Sequence, residues 1–122
     1  MIEQTESKIW FKKAEEDFDT AKYNLKGNKI EPAVFFLQQS AEKALKAIYI
    51  KEYKSIIKVH DLVLLAKKIK APLKIIELCK ELNPAYQYTR YPDVAPVNNL
   101  KEKATKFVNS VEEILKWTKE NI

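Results

Sequence analysis

Two short blocks hold most of the side chains able to do chemistry: His60-Asp61, and Arg90 set among Tyr86, Tyr88 and Tyr91. His60 is the single histidine and Arg90 the single arginine of the chain. If Asp61 caps a helix, His60 stands at its N-terminus, where exposed N–H groups and the helix dipole favour an anion. The same position equally suits a helix-entry residue that hydrogen-bonds the backbone. An arginine between tyrosines suits gripping a phosphate and stacking on a planar group. Equally, Arg90 could pair with Asp93 or Asp17 while the tyrosines close one end of the fold. Gln39, Lys43 and Lys46 share the polar side of one helical stretch, and Asp17 stands at the edge of an apolar stripe. A carboxylate there needs a partner. The candidate ligand-binding set is therefore Arg90, Tyr91, His60, Asp61, Lys43, Lys46, Gln39 and Asp17, with Arg90 and His60 the only candidates for catalysis.

Complete catalytic constellations are missing. One histidine and one cysteine exclude histidine-pair and cysteine-cluster metal sites. Cys79 falls in an apolar-periodic segment and reads as core. A carboxylate-only Mg²⁺ site from Asp17, Glu42, Asp61 or Asp93 is not demanded by their spacing, so no metal is expected. There is no Gly-rich phosphate loop and no nucleophile elbow. No cofactor is expected from the pattern.

The elements that must position these residues are helices. In 122 residues there is one glycine, which leaves little room for hairpins. The length fits a single domain over 1–122. The net charge of +5 permits anionic partners, but almost all of the positive charge is lysine, which argues against a dedicated DNA reader. No apolar run is long enough to span a bilayer, and the first residues lack the order of a signal peptide, so a cytoplasmic location is expected.

The first helix is expected from a cap at Thr5 or Ser7 to Gly27-Asn28, with Trp10, Ala14, Phe18, Ala21 and Leu25 inward. Pro32 suits the first turn of the second, which runs to about Tyr53. Ala33, Val34, Leu37, Ala41, Ala44, Leu45 and Ile48 form its inner arc. Its other side mixes Gln38, Gln39, Glu42, Lys43 and Lys46 with Phe35, Tyr49 and Ile50. Residues 54–60 look extended. Leu62, Leu65, Ala66 and Ile69 begin a third segment, which Pro72 interrupts. Leu73, Ile76, Cys79 and Leu82 continue it inward. Prolines and tyrosines over 83–98 forbid a regular helix through the middle of that stretch, which reads as one long loop. The last helix, about 99–119, buries Leu100, Ala104, Phe107, Val111, Ile114 and Thr118. The sum is an all-α, up-and-down bundle of four long helical segments, the third interrupted, or about five helices.

Trp10, Ala14, Asp17 and Ala21, then Gln38-Gln39-Ser40-Ala41-Glu42-Lys43-Ala44-Leu45-Lys46-Ala47, His60-Asp61-Leu62 and Arg90-Tyr91-Pro92-Asp93, occur in this order along nearly the whole chain. In these blocks the sequence resembles the HEPN domain family, of higher eukaryotes and prokaryotes nucleotide-binding domains. The resemblance implies a helical bundle that forms a homodimer, often encoded beside a minimal nucleotidyltransferase. Many members are metal-independent ribonucleases of toxin–antitoxin, CRISPR and other defence systems. Their motif is an arginine followed four to six residues later by histidine, in a cleft between subunits. Here those positions after Arg90 hold Val94, Ala95 and Pro96. The resemblance therefore favours a binding module for a nucleotide, a nucleotidyltransferase partner, or both. The alternatives are an unconventional ribonuclease acting on RNA through Arg90 and His60, and a dimerising partner subunit with no ligand of its own. The mixed side of the second helix is then the expected dimer or cleft wall.

Overall fold

The computed structural model describes residues 2–92 and 99–122, with side chains from Thr5 onward. Five helices and one additional helical turn follow in order: α1 (Ile2–Lys26), α2 (Ile30–Tyr53), α3 (Leu62–Lys68), α4 (Leu73–Leu82), the turn α5 (Ala85–Tyr88) and α6 (Leu100–Asn121). The bundle is all-helical among the described residues, as expected.

Helix α2 is the axis, packed by α1, α3, α5 and α6. Its aliphatic arc from Ala33 to Ile48 is buried, and Ile50 on the other side is buried as well. Each large side chain taken from water there contributes about 1.5–3 kcal/mol. Two buried serines lock α1 antiparallel to α2. Ser7 Oγ donates to Ala47 O at 2.8 Å, and Ser40 Oγ donates to Ala14 O at 2.7 Å. Small residues face one another at both points, so the backbones approach closely. The C-terminal ends of α2 and α6 meet where Lys51 Nζ donates to Asn121 O at 3.1 Å, so these two helices run the same way.

The boundaries have local causes. Asn28 takes positive φ after α1 and turns the chain into α2, while the neighbouring Gly27 does not. Lys54 in the left-handed region ends α2, and residues 54–60 then run without regular structure. Asp61 caps α3, accepting from Leu64 N at 3.1 Å. Lys70 with positive φ and Pro72 separate α3 from α4.

Three expectations are corrected. Helix α1 begins at Ile2, before both candidate caps, and Ser7 lies inside it, buried against α2. In α4, Leu73 is 68% exposed and Ile75 takes the inward place, because Pro72 starts the helix afresh with a new phase. The 83–98 stretch opens with the turn α5, built on Pro84, and does not begin as loop. Asp93 and the positions Val94–Pro96 lie outside the described residues.

Candidate functional site

Residues Gln38, Glu42 and Lys46 recur every four positions, so they stack along one edge of α2. That edge would face water on an ordinary bundle helix. Here Trp10 of α1 lies over Lys46, His60 of the 54–60 connection meets Glu42, and all three side chains are buried. Buried polar groups must find partners inside the protein. Gln39 Nε2 donates to Gln38 Oε1 at 2.7 Å, and Gln38 Nε2 donates to Glu42 Oε1 at 3.1 Å. Lys46 Nζ donates to Glu42 Oε2 at 3.0 Å and sits 5.8 Å from the centre of the Trp10 ring.

His60 completes this chain at the surface. The extended connection carries its ring back over α2, where Nδ1 lies 3.1–3.2 Å from both Glu42 carboxylate oxygens. The imidazole lies flat against Tyr86 of α5, with centroids 4.6 Å apart and planes 20° apart. Arg90 reaches the same tyrosine. Its guanidinium carbon lies 3.9 Å from the Tyr86 centroid and 4.6 Å from that of Phe35 on α2. The sole hydrogen bond of its guanidinium among the described residues is a long one, Nη1 to Tyr86 O at 3.4 Å, and no described carboxylate pairs with it. The half-buried guanidinium is thus oriented by two aromatic faces, with most of its five donors unengaged by the described residues.

A groove of about 490 Å³ opens beside His60 and Tyr86, with Asp61, Val63, Lys80, Asn83, Pro84 and Gln87 as its other walls. That is within the range of small-ligand sites, roughly 300–1,000 Å³. Arg90 touches this groove only through Tyr86. The N-terminus of α3 is closed by side chains: Leu62 N donates to Asn83 Oδ1 at 2.8 Å and Leu64 N to Asp61 Oδ1. Asn83 Nδ2 in turn donates to Asp61 Oδ1 at 2.9 Å. The Leu64 N–H above all, helped by Asn83, holds the Asp61 carboxyl below its ordinary value. The idea of a free helix N-terminus for an anion at His60-Asp61 is therefore corrected: its donors are already satisfied.

The sequence-derived candidates separate into three places. His60 and Arg90 converge on Tyr86, and Asp61 lines the adjoining groove. Asp17 and Lys43 form an ion pair between α1 and α2. They line a different groove, also of about 490 Å³, with Ile9, Trp10, Lys13, Glu16 and Thr20. Asp17 thus has the partner it needed, and that partner is not Arg90. Lys46 and Gln39 belong to the internal chain. With 5% exposure and its ammonium on Glu42, Lys46 is removed from the cleft wall on which the sequence placed it. Tyr91 is exposed. Of the four carboxylates considered for Mg²⁺, Asp17, Glu42 and Asp61 point to three separate partner sets. No group of three metal-ligating side chains occurs among the described residues.

Gln38 is absent from the sequence-derived candidates, and Glu42 enters them only as a possible Mg²⁺ carboxylate. Their four-residue spacing with Lys46 was visible, but it looks like any solvated helix edge. Asn83 and Lys80 gave no signal, since only the α3–α4 fold-back brings them to His60.

The HEPN domain family model matches residues 7–122. TT1696 from Thermus thermophilus superposes with a TM-score of 0.85 at 24% identity, covering 95% of this chain and 98% of that one. ST0689, an archaeal HEPN homologue, gives a TM-score of 0.76 at 29% identity over 93% and 95% of the two chains. A HEPN domain protein from Thermotoga maritima gives 0.73 at 23% identity over 91% and 94%. No protein of curated function matches. The chain belongs to the HEPN domain family.

Proposed function

We propose that this HEPN protein is a nucleotide-binding module that works in the cytoplasm as a homodimer, with a minimal nucleotidyltransferase as its partner in a toxin–antitoxin or defence setting. The observation that supports nucleotide binding is the convergence of His60 and Arg90 on Tyr86 beside a groove that also carries Lys80. A guanidinium already oriented by Phe35 and Tyr86 loses little freedom on gripping a phosphate. The groove supplies amide and carboxylate groups, Asn83, Gln87 and Asp61, of the kind that orient a base or ribose. Calorimetry with ATP, GTP and UTP at low salt tests this. Saturable binding that weakens at least tenfold in Arg90→Ala is expected; no binding, or binding indifferent to Arg90, refutes it. Light scattering at micromolar concentration tests the dimer, which a monomer mass would contradict.

The same convergence supports a second reading, cleavage of RNA. An imidazole can move the 2′-hydroxyl proton while a guanidinium steadies the scissile phosphate. His60 comes from a separate element, so the missing histidine after Arg90 does not by itself remove the chemistry. Labelled RNA left intact, or cut equally by His60→Ala, would exclude it.

A further inference from the structure

We infer that Glu42 is a positioning residue that holds His60 as the Nδ1–H tautomer and leaves Nε2 as the acceptor on the groove side. The case begins with the carboxylate. Glu42 is 5% exposed and is fixed from two directions, by Gln38 Nε2 on Oε1 and by Lys46 Nζ on Oε2. A carboxylate paired with a buried ammonium is ionised, and an ionised carboxylate only accepts hydrogen bonds. His60 Nδ1, within 3.2 Å of both oxygens, must therefore carry a proton. In the neutral ring the other nitrogen is then the acceptor.

Neither ring rotation nor a flip relieves this assignment. The Tyr86 stack sets the plane of the imidazole, and turning the ring over would replace Nδ1 by carbon in front of two carboxylate oxygens. The side chain is 51% exposed and lines the groove, while Nε2 has no protein partner among the described residues. A neutral imidazole held this way accepts from a hydroxyl or N–H of a ligand, or takes its proton; it does not donate to a phosphate oxygen. The phosphate is left to Arg90 and Lys80. This division of labour rests on the nucleotide or RNA reading above, but the tautomer does not.

Histidine ¹⁵N resonances decide the matter, and one histidine gives one unambiguous set. In long-range ¹H–¹⁵N spectra of the ligand-free protein, at a pH where the ring is neutral, Nδ1 is expected at the protonated-type position and Nε2 at the bare-nitrogen position. A free histidine shows the reverse preference. In Glu42→Gln, Lys46 claims the amide oxygen and the NH₂ group faces His60, so the pattern should invert. Should that variant unfold, Glu42→Leu/Lys46→Met removes both buried charges together and should show the free-histidine pattern. A wild type with the proton on Nε2, or a tautomer unchanged in a folded variant, overturns the inference. No ligand enters the measurement, so failure of nucleotide binding or RNA cleavage would leave this result standing.

Discussion

Removing the Glu42 carboxylate should destabilise this protein more than most single changes to its surface or core. Glu42→Ala takes the acceptor away from Gln38, Lys46 and His60 at once. His60 is half exposed and can turn to water. Lys46 cannot, because its side chain is 6% exposed and roofed by Trp10. Breaking a buried ion pair from one side costs about 3–5 kcal/mol, since the remaining charge stays desolvated. The whole stability of such a domain is about 5–15 kcal/mol. With roughly 3–5 °C of Tm per kcal/mol at this size, the melting point should fall by about 9–25 °C.

Urea unfolding followed by far-ultraviolet circular dichroism measures the change, with an unaltered m-value showing that the native state has kept its compactness. The control is Glu42→Ala/Lys46→Met. Replacing both members of a buried pair by apolar groups is often neutral, so the double variant should recover all but about 1–2 kcal/mol, the residue being the orphaned Gln38 amide. High salt should change little, because buried pairs are poorly screened. A single variant within about 1 kcal/mol of wild type would refute the reasoning. So would a double variant as unstable as the two singles added together, for then the lone ammonium is not the source of the loss.

Ser7→Ala and Ser40→Ala should each cost about 0.5–1.5 kcal/mol in urea titrations, additively, because the two bonds lie about 10 Å apart along α1 and share no partner; strong coupling between them would contradict two independent ties. Asp61→Ala should cost about 0.5–2 kcal/mol at pH 7 through loss of the α3 cap. Since the folded carboxyl lies below its ordinary value, its contribution is full above the unfolded carboxylate range and fades as pH falls through the folded pKa. The gap between wild type and variant should therefore narrow below about pH 4, and a gap constant from pH 7 to pH 3 would refute the assignment. Burial pushes the Cys79 thiol up to about 12, so a thiol reagent at pH 8 should label it only after denaturation; rapid labelling of the folded protein would show that the α4 core opens.

The bundle was readable because its signals are periodic and local. The inner arc of α2, the Asp61 cap, the break at Pro72 and the buried face of α6 all follow from spacing and turn chemistry within a few residues. Leu73 was misplaced by extending one helical phase across a proline. Ser7 looked like a cap because serine caps and serine ties are alike in sequence; only the approach of α2 makes it a tie. The site was legible as two fragments, His60 and Arg90, both single in the chain. Their meeting on Tyr86 depends on α5 and on how the 54–60 connection brings His60 to Glu42 of α2, and no pairwise spacing encodes it. Lys46 shows the opposite failure. A lysine on a polar helix edge is ordinarily solvated, and nothing local says that Trp10 will lie over it and Glu42 will hold its ammonium.

That covering explains why the polar edge of α2 ends in a single surface imidazole. A central helix packed by α1, α3, α5 and α6 has little side left for water, so a polar run along it must be satisfied from within. Gln39 serves Gln38, Gln38 serves Glu42, and Lys46 balances the charge. The carboxylate still has acceptor capacity, and among the described residues the donor that reaches it from outside is His60. A conservative change at Gln38 or Lys46 therefore acts on the groove without touching it, by loosening the carboxylate that fixes the ring. The Asp17–Lys43 pair is different: it ties α1 to α2 at another groove, and among the described residues no hydrogen bond or ion pair joins it to these side chains. Neutralising that pair should leave the His60 nitrogen resonances where they are, whereas Gln38→Ala should move them, and the contrast separates a wired site from a merely crowded one.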